Sequence, residues 1–74
     1  MAQVIRSSKD LGRAIRAQRT TLGYTQAQVA ALCNTGVRFI SDIENGKETA
    51  ECGKVLLVAN SLGIDLVAQV RGQV

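Results

Sequence analysis

Arg38, Ser41 and Asp42 stand three and four positions apart. A helix through them carries all three on one face, with Val37 at its start. That set suits hydrogen bonding to the edges of nucleic-acid bases. A guanidinium bonds O6 and N7 of guanine together, a hydroxyl bonds a base edge or a phosphate, and a valine packs on the thymine methyl. A carboxylate beside phosphates is repelled, so Asp42 needs its own account. It accepts from cytosine N4, or it orients Arg38 one turn away, or it is an ordinary exposed partner contributing about 0.3–0.5 kcal/mol. Gln26 opens an earlier helical run. There, free backbone amides and a side-chain amide can clamp a phosphate, the alternative being that Gln26 merely fills the first turn.

Other chemistries find few residues. The chain has no histidine, and Cys33 and Cys52 lie 19 positions apart with no Cys-x-x-Cys pair. No common zinc ligand set can be assembled, and no metal or other cofactor is expected. A histidine-based triad is impossible, and neither cysteine has an obvious base partner. The expectation is therefore a protein that is not an enzyme. Both cysteines fall in helical patterns and read as reduced thiols, a single disulfide being the formal alternative. Nine Lys and Arg against six Asp and Glu leave a net charge of +3, which favours a polyanionic partner without proving one. No stretch approaches the roughly 20 apolar residues of a membrane span, and the N-terminus lacks a signal core, so the expected location is the cytoplasm.

The elements that must position these residues are punctuated by glycine and caps, because proline is absent. Ser7 caps a helix over 8–22 with the apolar stripe Leu11, Ala14, Ile15 and Leu22, ended by Gly23. Thr25 and Gln28 form a capping box for a helix over 26–33, whose inner face is Gln26, Val29, Ala30 and Cys33. Asn34-Thr35-Gly36 makes a tight turn, since Asn and Gly tolerate positive φ. A third helix over 37–45 turns Ile40 and Ile43 inward and faces mostly outward, with Gly46 at its end. Phe39 either lines the nucleic acid or packs on the next helix. Thr49 caps that helix, over 50–62, carrying Val55, Leu56, Val58, Ala59 and Leu62.

The tail changes period: Ile64, Leu66, Ala68 and Val70 alternate with Asp65, Val67 and Gln69, a strand reading over 64–70. A lone strand leaves its backbone groups unpaired, so the tail is expected to pair with that of a second copy. Residues 1–74 form one domain, mainly α. A chain this short buries only about 60% of its unfolded surface, and dimerisation adds to that.

Two short helices, a tight turn and an outward-facing second helix make a helix-turn-helix arrangement. The run Thr25-Gln26, Val29-Ala30, Ile40-Ser41, Ile43-Glu44-Asn45-Gly46-Lys47 resembles the Xre-type helix-turn-helix of lambdoid phage repressors, without gaps. With Ile15-Arg16 and Arg19 upstream, the resemblance covers about residues 8–63. It implies a compact four-helix domain whose third helix enters the major groove of double-stranded DNA. It puts Val37, Arg38, Ser41 and Asp42 at base-reading positions. Gln26, Asn45 and Lys47 fall at phosphate positions, Lys47 being otherwise a plain solvated lysine. Arg19 and Glu44 fall where the family pairs the first helix with the third. The chain departs from the family at the turn, where Gly-Val-Ser is usual; the swaps to Asn34 and Gly36 keep the backbone shape and weaken the helix cap.

Arg38-Phe39-Ile40-Ser41, the Glu-Asn-Gly-Lys ending, the short fourth helix and the C-terminal strand are similar to HipB-like antitoxins. That resemblance implies a homodimer joined through Ile64, Leu66, Val67, Ala68 and Val70. It further implies repression of the protein's own operon at a palindromic operator, and binding of a HipA-like kinase toxin. The alternative is a stand-alone or prophage-type regulator without a toxin. A length that leaves no room for a ligand-sensing domain favours the antitoxin. A helix-turn-helix that binds only protein fits less well with Arg38 exposed between Gln26 and Lys47.

Overall fold

The computed structural model describes residues 3–72. They form α1 (Ser8–Leu22), α2 (Gln26–Leu32), α3 (Val37–Glu44) and α4 (Cys52–Ser61). Local hydrogen bonds explain the starts. Ser7 Oγ accepts from Asp10 N at 3.0 Å, while the Asp10 carboxylate accepts from Arg6 N at 3.0 Å. At α2 the capping box is reciprocal: Gln28 N donates to Thr25 Oγ1 at 3.1 Å and Thr25 N to Gln28 Oε1 at 2.8 Å. Gly36 precedes α3 and has no side chain with which to cap it. At α4 the expected Thr49 cap is displaced by Glu51. Ala50 is drawn against the core, so the chain turns helical only beyond it.

Each helix stops in the same way, with a left-handed residue and two backbone hydrogen bonds folding back on the last turn. At α2 that residue is Asn34, at φ 53°. It is the non-glycine exception among Gly23, Gly46 and Gly63, and Asn accepts this region through its short polar side chain.

The core joins Ile15 of α1, Val29, Ala30 and Cys33 of α2 and its end, Ile40 and Ile43 of α3, and Val58 and Leu62 of α4 and its end. Both cysteines are free thiols, Cys33 buried and Cys52 exposed. Leu22 and Leu56, expected inside, are exposed. Leu22 is the last residue of its helix, where the stripe outruns the elements that cover it. Leu56 lies two residues before Val58, about 200° around the helix from it. Gly12 is the close contact between α1 and α3: a Cβ there would sit 2.7 Å from the Glu44 carbonyl oxygen. No helix among the described residues is long and apolar enough to cross a membrane.

The strand expected over 64–70 is not formed: the segment has no regular secondary structure, and no strand exists among the described residues. The first residue of the alternation has another use. Ile64 N donates to Ala59 O at 2.9 Å, closing α4, and its side chain packs on the core. Beyond it, Leu66, Val67 and Val70 are exposed, Val67 at 82%, without a ladder partner among the described residues.

Candidate nucleic-acid interface

α2, its turn and α3 form the positioning unit. The Asn34 bend lets the chain reverse within Cys33–Gly36, and α3 is packed against both α1 and α2. Ile40 and Ile43 are buried while Val37 and Arg38 are exposed and Ser41 and Asp42 half-buried, which leaves one face of α3 open. With side chains an α-helix is about 10–12 Å across, so the eight-residue α3 fits a major groove about 12 Å wide.

On that face the charges do not pair as helical spacing suggests. Asp42 Oδ2 lies 3.4 Å from Lys47 Nζ, five residues on, and no ion pair joins Asp42 to Arg38 among the described residues. Gly46 turns the chain back, and Lys47 N donates to Asp42 O at 3.0 Å, which sets the lysine beside the carboxylate. Asn45 Nδ2 reaches Ser41 Oγ at 3.5 Å. Arg38 makes no ion pair among the described residues. Phe39 is turned away from this face, packed on the core, with Lys54 Nζ of α4 6.0 Å from its ring centre.

Behind α3 lies a second charged group. Arg19 Nε and Nη2 donate to Glu44 Oε2 and Oε1 at 2.6 and 3.0 Å, a two-pronged pair between α1 and α3. Arg19 Nη1 also donates to Tyr24 O at 2.9 Å. The Glu44 side chain is 3% exposed and that of Arg19 13%. The hydrogen bonds to Glu44 raise the Arg19 guanidinium above its ordinary pKa, burial opposes the rise, and the Glu44 charge adds to it. Gln26 joins this pair rather than standing free: its Nε2 donates to Glu44 Oε1 at 3.1 Å. Sequence reasoning missed that bond, since nothing local links residues 26 and 44. It missed Gly12 too, although a glycine inside a helix is a signal of close packing.

The helix-turn-helix family model HTH_3 matches residues 15–68, which span α1 from Ile15 through α4 and into the tail. The chain belongs to the Xre-type helix-turn-helix family. Its members regulate transcription by binding DNA, and this chain is a helix-turn-helix regulator. An uncharacterized HTH-type transcriptional regulator, y4mF, of Sinorhizobium fredii is 41% identical over 70 residues, covering 92% of each chain. Among solved structures, a HipB–O2 20mer complex matches with a TM-score of 0.87 at 24% identity, over 96% of this chain and 99% of that one. A HipA–HipB–O2–O3 complex matches with a TM-score of 0.86 at 23% identity, over 95% and 99%. At those identities the likeness is one of fold.

Proposed function

We propose that this helix-turn-helix regulator is a homodimeric repressor that reads a palindromic operator with α3, and that it is the antitoxin of a HipBA-like operon. The observation that carries the DNA reading is the open face of α3, with Arg38 exposed and outside any ion pair among the described residues. Val37, Ser41 and Asp42 flank it as base-reading side chains. Phosphates on either side meet Gln26, Asn45 and Lys47. An amide nitrogen carries two hydrogens, so Gln26 can keep its bond to Glu44 and still donate to a phosphate.

The dimer forms through the tail. Leu66, Val67 and Val70 are exposed, and the backbone around them pairs with no strand among the described residues. Ile64 belongs to the monomer's core, so Leu66, Val67, Ala68 and Val70 remain for the partner. A two-fold axis through the tails would present two recognition helices to half-sites about 34–36 Å apart, one turn of DNA. The tail lies beside residues 3–6 and the outer face of α1, around a groove of about 940 Å³ that a second copy can enter.

The toxin-antitoxin role draws on the fold shared with the HipB of the HipA–HipB–O2–O3 complex. A stand-alone regulator is the second reading, favoured by the 41% identical relative, which is named only as a transcriptional regulator. Mobility shifts on the DNA upstream of the protein's own gene test the repressor. A shift that survives a scrambled competitor supports it, and equal binding to both sequences defeats it. Co-purification with the product of a neighbouring kinase-like gene separates antitoxin from stand-alone regulator.

A further inference from the structure

We infer that two tails pair antiparallel in a single register centred on Ala68, which sets Asp65 of each copy against Arg71 of the other. The inference rests on the tail-mediated dimer proposed above. Two commitments bound the segment that is free to pair. Ile64 is held by its bond to Ala59 O and by its packing on the core. Gly72 takes a left-handed φ of 80°, which ends the run of residues a strand can use. Residues 65–71 lie between, and Ala68 is their midpoint. Facing residues of an antiparallel pair point to the same side of it. A two-fold axis perpendicular to the pair therefore passes through one residue position. An axis at 67 would set Val70 against Ile64, which its own chain already holds. An axis at 69 would set Leu66 against Gly72, beyond the turn. An axis at 68 uses the whole segment.

The side chains agree with that axis. On one side Leu66 faces Val70, and Ala68, the smallest side chain of the segment, meets its own copy. On the other side Val67 faces Gln69, and Asp65 faces Arg71. The two charges stand at opposite ends of the segment and both border the groove beside α1. Neither joins an ion pair among the described residues. A second tail running the other way supplies each with a partner of opposite sign, at both ends at once. The register also bears on the DNA. Moving the axis by one residue slides the copies by two residues, about 7 Å, which is about two base pairs of half-site spacing.

Single cysteines in the full chain read the register directly. Exposed Cys52 is replaced by serine and buried Cys33 is kept. Val67→Cys, Ala68→Cys and Gln69→Cys are then oxidised side by side. Facing residues have Cα atoms about 4.5–5.5 Å apart, within disulfide range. Two copies of 67, or of 69, are diagonal neighbours at about 7–8 Å, outside it. Ala68→Cys should therefore form the covalent dimer about tenfold faster than either neighbour, or better. Equal rates, a faster rate at 67 or 69, or a dimer that cross-links at none of the three overturns the register. Charge reversal supplies a second measurement. Asp65→Arg or Arg71→Asp alone puts like charges opposite each other at both ends, and each should weaken dimerisation about tenfold in sedimentation. The two together should restore it to within about threefold of wild type. Single variants that dimerise like wild type, or a double variant as weak as the singles, overturn the inference and leave the dimer standing. A wild type that sediments as a monomer at micromolar concentration overturns both.

Discussion

The two ion pairs made by α3 differ in almost every respect that decides what a pair does. Arg19–Glu44 joins α1 to α3 across 25 positions of sequence through two hydrogen bonds, with the carboxylate sealed from solvent. Lys47–Asp42 spans five residues at 3.4 Å, with side chains 52% and 30% exposed. In the first, desolvation makes either charge costly to leave alone, so the pair holds the fold. In the second, water competes on both sides, and a phosphate can take the lysine without much loss. One short helix therefore has a structural side and an exchangeable side. The raised pKa of Arg19 means that its contribution to stability is fully present below the unfolded-state pKa and fades only as strong alkali titrates the folded guanidinium. Around neutral pH the structural side does not titrate through Arg19.

The sharpest way to break this contrast is to strand a buried charge. Glu44→Ala should cost about 3 kcal/mol or more. In a domain this small that lowers the melting temperature by roughly 12 °C or more, measured by thermal denaturation. A melting temperature within a few degrees of wild type removes the distinction. The next largest effect belongs to the tail, which is exposed like the outer side of α3. Truncation after Asp65 spares Ile64, so the helices should persist by circular dichroism. The protein should sediment as a monomer, with DNA affinity down about a hundredfold or more once two half-sites cannot be held together. A truncated dimer in analytical ultracentrifugation contradicts tail-mediated assembly.

Smaller effects probe the outer side of α3. Arg38→Ala should lose about 1–3 kcal/mol of discrimination between operator and scrambled DNA while keeping weak, salt-sensitive binding. Unchanged selectivity in a competition titration rules out base reading by Arg38. The smallest effects concern the exchangeable pair. Lys47→Ala should weaken binding to every sequence alike and make the salt slope shallower by about one unit. Asp42→Ala should change stability by less than about 1 kcal/mol, because the pair is exposed. A loss as large as that of Glu44→Ala would show that exposure is not what separates the two pairs.

Much of the fold was legible in the residues because its signals are local. A hydroxyl at Ser7 or Thr25 and a left-handed residue at Gly23, Asn34, Gly46 or Gly63 act within one helical turn, and helix boundaries follow from them. The inward pair Ile40 and Ile43 follows from helical spacing, and with it the outward face that carries Arg38. Tertiary packing decided the rest. Residues 26 and 44 meet only when α2 and α3 are packed, so the Gln26 amide on Glu44 has no local trace. Asp42 takes Lys47 because the Gly46 turn swings the chain back, a move that helical spacing alone does not describe. Ile64 was drawn out of the tail's alternation because closing α4 and filling the core stabilise it more than an unpaired strand does. Short-range hydrogen bonding is written in neighbouring residues, whereas burial depends on what the rest of the chain brings to the same place.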